Sequence, residues 1–280
     1  MAVIQSIEKL ISTKLMMTLH NDLVAKKICT METASEIKRK GDSVVFVGLA
    51  SPTISPYSGT LTPETLADAS VTMPIDQAND YSFYVDDIEA FRSVIDIQGA
   101  AVDEAAYGLL NTADAYVLGL YAGAGTTITA TVSETIALST TATVIRKLQE
   151  ANVKYGQRWL IIPPWYQEKL ELANVKFSIK EGINGMAGTV PWVKHLGTDI
   201  YVSNNLTTTG AEGSYNTQCL AGSYNSIVYA EQIVKSRVND KVAASFAAQC
   251  DGLHVFGAKV IKPKELVRIN ATQAAASSTI

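Results

Sequence analysis

The sequence has few cysteines and no apolar run long enough to cross a bilayer. Its cysteines, Cys29, Cys219 and Cys250, are far apart and form no Cys-x-x-Cys pair, so we predict neither a disulfide framework nor a cysteine-based metal site. This cysteine usage suits synthesis in a reducing cytosol. No apolar stretch approaches the roughly 20 residues that span a membrane, and charged side chains interrupt the apolar pattern of residues 1–23. A transmembrane helix and a signal peptide are therefore not expected.

The motifs that usually carry catalysis or cofactor binding are also missing. The chain has no Gly-x-Ser-x-Gly elbow, no His-Glu-x-x-His helix and no Gly-x-x-x-x-Gly-Lys phosphate loop. His20, His195 and His254 lack a second ligand at metal-binding spacing. The Gly-Ala-Gly at residues 123–125 begins like a dinucleotide loop, but it follows a predicted helix, so a break after that helix explains it better. We therefore predict no catalytic residue, no metal site and no cofactor.

Charge is unevenly distributed along the chain, although the net charge is only −4. Residues 61–104 carry ten acidic side chains and one arginine, a net −9, whereas residues 1–40 carry seven basic and four acidic side chains, a net +3. The basic clusters are short and interrupted by apolar residues, unlike the basic stripe of proteins that read nucleic acid sequence. We therefore predict no sequence-specific binding of nucleic acid.

The longest regular pattern begins near residue 80. Apolar and polar residues alternate over residues 81–86, after which the apolar spacing changes to sums of three and four. Nine apolar positions follow that helical spacing: Ile88, Phe91, Ile95, Val102, Ala105, Leu109, Ala113, Tyr116 and Leu120. The pattern predicts a strand and then a helix of about 30 residues over 87–121, roughly 45 Å long at 1.5 Å per residue. A helix of this length indicates an architectural role before a chemical one.

Shorter elements are predicted on both sides of this helix. Upstream, residues 42–49 and 71–75 have strand patterns and are joined by a long connection rich in Pro, Ser and Thr, as in a hairpin. Downstream, Thr140 or Thr141 is expected to cap a helix that ends near Asn152. Five further elements are predicted: a half-exposed strand at 127–133, an apolar strand at 158–162, a helix from Pro164, a strand at 198–203 and an exposed polar loop at 204–215.

This order of elements resembles that of the major capsid proteins of tailed bacteriophages, which share the HK-ninety-seven-like fold. Local phrases at residues 160–166 and 253–259 are similar as well. The resemblance implies an α+β fold with five parts: an N-terminal arm at 1–40, an extended β-hairpin loop at 41–79, a peripheral domain with a long spine helix at 80–139, an axial domain at 140–242, and a return to the peripheral domain with a C-terminal tail at 243–280.

The same resemblance implies a structural function instead of an enzymatic one. The subunits would self-assemble through hexameric and pentameric capsomers into an icosahedral shell that encloses phage double-stranded DNA without reading its sequence. The partners would be further copies of the chain, together with scaffolding, portal and decoration proteins, and no membrane. Assembly would take place in the host cytoplasm, and the mature protein would reside in the virion.

Oppositely charged segments predict where subunits meet. In the capsid family the extended loop reaches over a neighbouring subunit and the arm crosses under one, so charge pairing would guide assembly. The candidate contacts are Lys26, Lys27, Lys38 and Arg39 on the arm, Glu64, Asp68 and Asp76 on the loop, and Asn204 and Asn205 at the axial tip, which would line the capsomer centre. The alternative is that the charged groups are solvated and contribute ~0–1 kcal/mol per pair.

Two other functions fit parts of the sequence. The HK-ninety-seven-like fold also builds encapsulin-like nanocompartments, which enclose enzymes in place of DNA. The alternative from a different class is a small-molecule-binding α/β domain over residues 140–235, with Trp159, Trp165 and Trp192 near a pocket. That alternative lacks any acid, base or nucleophile constellation.

Overall fold

The computed structural model describes residues 24–31, 43–46, 70–86, 97–173, 193–195, 197–239 and 247–274, and the single positions 54, 56 and 65. The helices within these ranges are α1 (Val24–Ile28), α2 (Ile97–Leu118), α3 (Glu134–Glu150) and α4 (Pro164–Leu172). Short 3₁₀ turns span Gly119–Gly123 and Pro263–Glu265. None of the helices in these ranges is long and apolar enough to cross a membrane.

The strands of the described residues form three sheets. They are β1 (Thr30–Met31), β2 (Ser43–Phe46), β3 (Val71–Pro74), β4 (Gln77–Asp86), β5 (Thr126–Val132), β6 (Arg158–Ile162), β7 (Val193–His195), β8 (Thr198–Val202), β9 (Thr208–Thr209), β10 (Asn216–Ser223), β11 (Ile227–Asn239), β12 (Ala247–Val260) and β13 (Leu266–Gln273). One sheet has four strands in the order β1-β11-β12-β4. A seven-stranded sheet has the order β5-β13-β10-β6-β8-β7, with β9 paired to β10, and β2 pairs with β3 alone.

The four-stranded sheet is built around the two longest strands. β11 and β12 pair antiparallel over almost their whole length, and β4 pairs antiparallel with the other side of β12. Along β4, Tyr81 and Phe83 are half-buried while Ser82 and Tyr84 are exposed, which is the alternation that the sequence predicts. The two-residue β1 pairs parallel with β11. Because α2 packs against β4 and β12, the long helix lies on this sheet.

The seven-stranded sheet and the two helices α3 and α4 enclose a large part of the core. β6 is buried at all five positions, as its apolar run predicts. Trp159 of β6, Tyr166 of α4 and Leu148 of α3 are fully buried. Arg158 is buried as well, and its guanidinium donates hydrogen bonds of 3.1 and 2.6 Å to the Val153 carbonyl. A nearby backbone acceptor therefore bonds two of the three guanidinium nitrogens of the one charged side chain in this strand.

Most of the elements predicted from local patterns are present. β6 and α4 begin at Arg158 and Pro164 as expected, and β5 and β8 lie within one residue of their predicted bounds. β2 and β3 pair antiparallel as a hairpin. α2 ends at Leu118 and the following 3₁₀ turn leads into β5, so residues 123–125 do form a break after the helix. The predicted beginning of the long helix, residues 87–96, lies outside the described residues.

α3 begins earlier than the sequence analysis predicts. Its first residue is Glu134, and Ser133 precedes it in an extended conformation, φ −107° and ψ 174°, as expected of an N-cap residue. Thr140 and Thr141 are instead buried within the helix. The Thr141 hydroxyl donates a 3.0 Å hydrogen bond to the Ala137 carbonyl one turn earlier, which satisfies it without a cap. The prediction that either threonine caps this helix is therefore wrong.

Strand pairing crosses the predicted domain boundaries. β5 precedes residue 140 and β13 follows residue 243, yet both belong to the seven-stranded sheet, while β11 belongs to the sheet of β4 and β12. The 3₁₀ turn after β12 redirects the chain: the Gly125 N–H donates a 2.8 Å hydrogen bond to the Pro263 carbonyl, and β13 then runs parallel to β5. The division of the chain into five parts itself stays a prediction.

Candidate functional site

The short helix α1 lies against the body of the subunit, within the segment predicted to be the arm. Ala25 and Ile28 are fully buried and Cys29 is almost so, and their spacing of three and four residues gives α1 one apolar face. Burying Ile28 contributes about 1.5–3 kcal/mol relative to leaving it in water. β1 follows at once and pairs with β11. Residues 24–31 are therefore anchored on the four-stranded sheet.

A buried charge network ties α1 to the same sheet. The Lys26 ammonium forms an ion pair with Glu231 on β11, and their side chains are only 9% and 12% exposed. Tyr229 donates a 2.7 Å hydrogen bond to this carboxylate, and His254 Nε2 lies 3.4 Å from it. Burial alone would raise the pKa of Glu231, but His254, Lys26 and Tyr229 outweigh burial and lower the pKa to about 2. Glu231 is therefore an anion at neutral pH.

A second buried carboxylate joins three parts of the chain. Asp114 lies on α2 and is 4% exposed. Its Oδ1 accepts the backbone N–H of Ala25 at 2.9 Å, and its Oδ2 accepts the side-chain amide of Asn205 at 2.8 Å. Ala25 belongs to α1 and Asn205 follows β8, so one side chain bonds to segments 89 and 91 residues away. Because a buried carboxylate that loses a donor cannot regain it from water, both bonds hold the subunit together.

A small apolar cluster fixes the base of the β2–β3 hairpin. Met73 and Ile75 are fully buried, and they pack against Val255 of β12. The Lys259 ammonium, also on β12, donates a 2.7 Å hydrogen bond to the Thr72 carbonyl of β3. The base of the predicted extended loop is therefore part of the subunit body.

The axial loop, residues 204–215, ends in a short hairpin at one side of the seven-stranded sheet. β9 pairs antiparallel with the beginning of β10. Gly210 and Gly213 have φ of 98° and 85°, a left-handed conformation that glycine adopts without strain. Residues 207–212 are all exposed. The loop therefore presents a polar tip to solvent, as its composition predicts.

Three of the nine predicted contact residues are exposed. Lys27 and Asn204 face solvent, and so does Asp76, which accepts hydrogen bonds of 3.1 Å from Gln77 and 3.3 Å from the Tyr116 hydroxyl. Their predicted contacts with a neighbouring subunit stay predictions. Four more lie outside the described residues: Lys38, Arg39, Glu64 and Asp68.

The other two predicted contact residues are engaged inside the subunit. Lys26 pairs with Glu231, and Asn205 donates to Asp114. These placements give no support to a contact with a neighbour, because the polar groups concerned already have internal partners. Neither of those partners was predicted from the sequence. The sequence does contain a signal for Asp114, because an acidic residue there interrupts an apolar helix face.

Two surface cavities lie beside β4. One, of about 350 Å³, has a polar wall in which Ser82 donates a 2.6 Å hydrogen bond to Asp251, and Arg237 pairs with the same carboxylate at 2.7 Å. The Ser82 hydrogen bond is the largest cause that holds the pKa of Asp251 below its ordinary value. The other, of about 470 Å³, lies between β4 and α2 and is lined by Gly108. Ser82, Arg237 and Asp251 thus satisfy one another in the wall of the first cavity.

Neither of these cavities is lined by the tryptophans of the small-molecule alternative. Trp159 is fully buried, and the Trp165 indole donates a 3.1 Å hydrogen bond to the hydroxyl of the buried Thr217. Trp192 lies outside the described residues. Within the part of the chain that the structure describes, no group of three or more His, Cys, Asp or Glu side chains is placed to hold a metal ion. The described residues therefore give no support to that alternative.

Solved structures with a similar fold include two phage structures and a virus-like particle. A structure from Mycobacterium phage Che8 has a TM-score of 0.70 and 22% sequence identity, covering 89% of this chain and 91% of that chain. The capsid of Cyanophage P-SCSP1u has a TM-score of 0.67 and 17% identity, covering 90% and 89%. A virus-like particle from Pyrococcus furiosus has a TM-score of 0.56 and 13% identity, covering 94% and 98%. These similarities confirm the predicted α+β, HK-ninety-seven-like fold.

The sequence itself carries the family assignment. No curated protein sequence matches it. A family model described as phage capsid protein does match, over residues 78–269. Since that match covers well over half of the chain, the protein belongs to the phage capsid protein family.

Proposed function

We propose that this capsid protein is the repeated subunit of an icosahedral shell, assembled through hexameric and pentameric capsomers around phage double-stranded DNA. The observation that carries the proposal is the family match over residues 78–269, which includes α2, α3, α4 and nearly all strands of the two large sheets. The fold shared with the Cyanophage P-SCSP1u capsid supports it. The role is structural, and no reaction is assigned to the chain.

In this proposal the subunit consists of a body and two extensions. Residues 80–139 and 243–280 form the peripheral domain around the spine helix α2, and residues 140–242 form the axial domain. Residues 1–40 are the arm, and residues 41–79 are the extended loop. The seat of α1 and the apolar base of the β2–β3 hairpin support this arrangement, because an extension that reaches a neighbour needs a fixed origin on its own subunit.

The axial loop is the part of the subunit that we place at the capsomer centre. Its exposed tip and the exposed Asn204 at its start support this placement. Polar side chains that are hydrated in the free subunit can form the hydrogen-bonded rim of an interface at little desolvation cost. Asn205 is assigned a role inside the subunit instead, since its amide is already bound to Asp114.

The contact between arm and loop is proposed to be electrostatic. Lys27 carries positive charge at the surface of the seated part of the arm, and Asp76 carries negative charge at the end of the loop segment. In the same proposal Lys38 and Arg39 extend the positive side, and Glu64 and Asp68 extend the negative side. Complementary charges of this kind favour the correct partner and speed encounter more than they tighten the final complex.

Several weak interfaces are sufficient for a stable shell. Each subunit of a closed shell contacts several neighbours through heterologous interfaces. Contacts of a few kcal/mol each then become collectively stable, because a subunit can leave only by breaking all of them at once. Extended arms and loops suit this mechanism better than one deep pocket does.

We propose that the shell encloses DNA without binding it sequence-specifically. The net charge of −4 supports this, because a wall that bound phosphate tightly at each subunit would hold the packaged DNA in place. Scaffolding, portal and decoration proteins are proposed as further partners, with assembly in the host cytoplasm. No membrane is part of the proposal.

An encapsulin-like shell is the second candidate. The structural similarity to the Pyrococcus furiosus virus-like particle, which extends over 98% of that chain, supports a particle-forming subunit without assigning phage DNA as its content. The family match and the higher TM-score of the phage Che8 structure favour the DNA-filled capsid. Purified particles would separate the two: nuclease-protected DNA supports the capsid, and a stoichiometric enzyme cargo without DNA supports the nanocompartment.

Negative-stain electron microscopy of the purified chain tests assembly directly. The chain is examined alone and with a scaffolding protein after size exclusion at moderate salt. We expect closed polyhedral shells, tubes, or rings with five- and sixfold symmetry. A homogeneous monomer or small dimer under all conditions would contradict the proposal.

Charge reversal tests the contact between arm and loop. Lys27→Glu is expected to lower the yield of shells, and its effect should shrink as salt screens the charges. Lys154→Glu is the matched control, because Lys154 is also exposed but lies in the turn after α3. Equal shell yields for wild type and Lys27→Glu at low salt would reject this contact while leaving shell assembly itself intact.

A further inference from the structure

Asp114 lies where three parts of the subunit meet. It is on α2, the proposed spine helix, and its carboxylate bonds to Ala25 in the proposed arm and to Asn205 at the start of the axial loop. One side chain thus joins the arm to the axial loop. The position of Asp114 therefore links the two segments that the proposed function assigns to different interfaces.

The geometry of the carboxylate makes the two bonds depend on each other. Oδ1 accepts one donor at 2.9 Å and Oδ2 accepts the other at 2.8 Å. Both oxygens belong to one rigid planar group, so a rotation that follows one donor moves the oxygen that serves the other. Asn205 is itself fixed, since its backbone N–H donates a 3.1 Å hydrogen bond to the Ser203 hydroxyl. We propose that Asp114 couples the seat of the arm to the axial loop, so that displacing either segment loosens the other.

Burial makes this coupling strong enough to matter. Asp114 is 4% exposed, and Leu110 and Leu118, one turn away on either side, are 5% and 0% exposed. Water therefore cannot replace a donor that moves away, so the carboxylate loses the orientation in which its other oxygen serves the remaining donor. Its charge is felt nearby: burial is the first cause that raises the pKa of the Cys29 thiol, and the Asp114 carboxylate is the second.

The coupling acts in both directions between the arm and the axial loop. Its consequence for assembly rests on the proposed function. Linkage requires that the arm influence the axial loop by the same factor as the axial loop influences the arm. A neighbour that pulls the arm away from its seat would therefore free the axial loop, and a ring that orders the axial loops would favour seated arms. Outer contacts that use the seated arm and contacts at the capsomer centre would thus favour one another, whereas a contact that displaces the arm would weaken the centre.

Hydrogen exchange measured by mass spectrometry on the full chain tests the coupling. Asn205→Ala removes the axial-loop donor, and we expect exchange in residues 24–31 to rise about tenfold, the factor that one lost hydrogen bond typically produces. Asn204→Ala is the matched control, since Asn204 is adjacent but exposed, and it should leave residues 24–31 unchanged. Unchanged protection of residues 24–31 in Asn205→Ala would overturn the proposal.

A second variant separates coupling from a purely local role of Asn205. Asp114→Asn is nearly isosteric and keeps one acceptor, so we expect faster exchange in both residues 24–31 and the axial loop. Faster exchange in the axial loop alone would overturn the proposal, because it would mean that the arm seat does not depend on the shared carboxylate.

Electron microscopy of the same samples distinguishes a failure of the coupling from a failure of the proposed shell function. Normal shells from a variant whose two segments exchange independently would reject the coupling and leave the proposed function standing. A wild-type chain that never assembles would reject the proposed function, while exchange in the unassembled subunit would still decide the coupling.

Discussion

Replacing Lys26 by methionine is expected to destabilise the subunit strongly, whereas replacing the adjacent Lys27 is not. Lys26→Met keeps most of the apolar stem but removes the ammonium that pairs with Glu231. The carboxylate then stays buried beside Tyr229 and His254 without its cation. Lys27→Met removes an exposed charge one position further along the same helix, so it is a closely matched control.

The size of the loss follows from the charge that is left behind. Removing one partner of a buried ion pair costs about 3–5 kcal/mol, because the remaining charge is still desolvated. The lowering of the Glu231 pKa from 4.5 to about 2 corresponds to on the order of 3 kcal/mol in favour of the ionised carboxyl. Since Lys26 is one of three groups that produce this lowering, we expect a loss of about 3 kcal/mol, at the lower end of the range. For Lys27→Met we expect less than about 0.5 kcal/mol.

Denaturant unfolding of the unassembled chain, followed by tryptophan fluorescence, measures both losses. A double variant adds a second criterion: combining Lys26→Met with Glu231→Gln removes the stranded charge and should recover part of the stability. Equal losses in Lys26→Met and Lys27→Met would refute the reasoning. So would a double variant that is less stable than Lys26→Met alone.

Three further predictions concern pH and two glycines. The pKa of Glu231 is lower in the folded than in the unfolded state, so Glu231 stabilises the fold fully above about pH 4.5 and loses this effect as the pH falls towards 2. In that window the unfolding free energy should therefore fall less steeply with decreasing pH in Glu231→Gln than in wild type. Gly108→Ala should raise the unfolding free energy by about 0.5–1 kcal/mol, because an added Cβ meets nothing within 4 Å in the middle of α2; an unchanged or lower denaturation midpoint would contradict this. Gly257→Ala should lower it by about 1–3 kcal/mol, because its Cβ would lie 2.5 Å from the Pro74 carbonyl oxygen at the hairpin base; a calorimetric melting temperature equal to that of wild type would show that the hairpin yields without cost.

The elements that could be predicted are those set by short-range chemistry. After Arg158, β6 is an uninterrupted apolar run. Two prolines end it, of which Pro164 then serves as the first residue of α4. β4 and β5 follow the two-residue alternation of a half-buried strand. These signals need no knowledge of the partner strand, and their order along the chain is what makes the resemblance to phage capsid proteins recognisable.

Sheet membership could not be predicted in the same way. β5 pairs with β13, which lies near the other end of the chain, and the long hairpin of β11 and β12 belongs to the sheet of β4. A strand pattern records which side chains are buried but not which backbone lies alongside. The turn from β12 to β13 is held by the hydrogen bond between the Gly125 N–H and the Pro263 carbonyl. No local pattern in the sequence predicts that hydrogen bond.

The apolar face of α2 was predicted only in part. Val102, Leu109 and Ala113 are buried as expected, but Ala106, Leu110, Val117 and Leu118 are buried as well. The buried face is wider than one stripe because α1 packs on the helix in addition to β4 and β12. The same widening encloses Asp114, one turn from both Leu110 and Leu118. A charge at such a position predicts a buried partner, although the sequence does not tell which one.

The two adjacent lysines of α1 illustrate why charge counts alone mislead in the search for an interface. The buried face of this segment consists of Ala25, Ile28 and Cys29. Because successive residues of a helix are about 100° apart, Lys27 lies opposite this face and Lys26 lies closer to its border. A long side chain at that border can turn inward, and Lys26 does so to reach Glu231. The positive charge that the arm can offer to a neighbour is therefore one unit lower than its sequence count. The proposed electrostatic guidance of assembly must then rest on Lys27 and on the basic residues that follow α1. The Lys27 reversal therefore tests the interface, while the Lys26 variant tests only the fold.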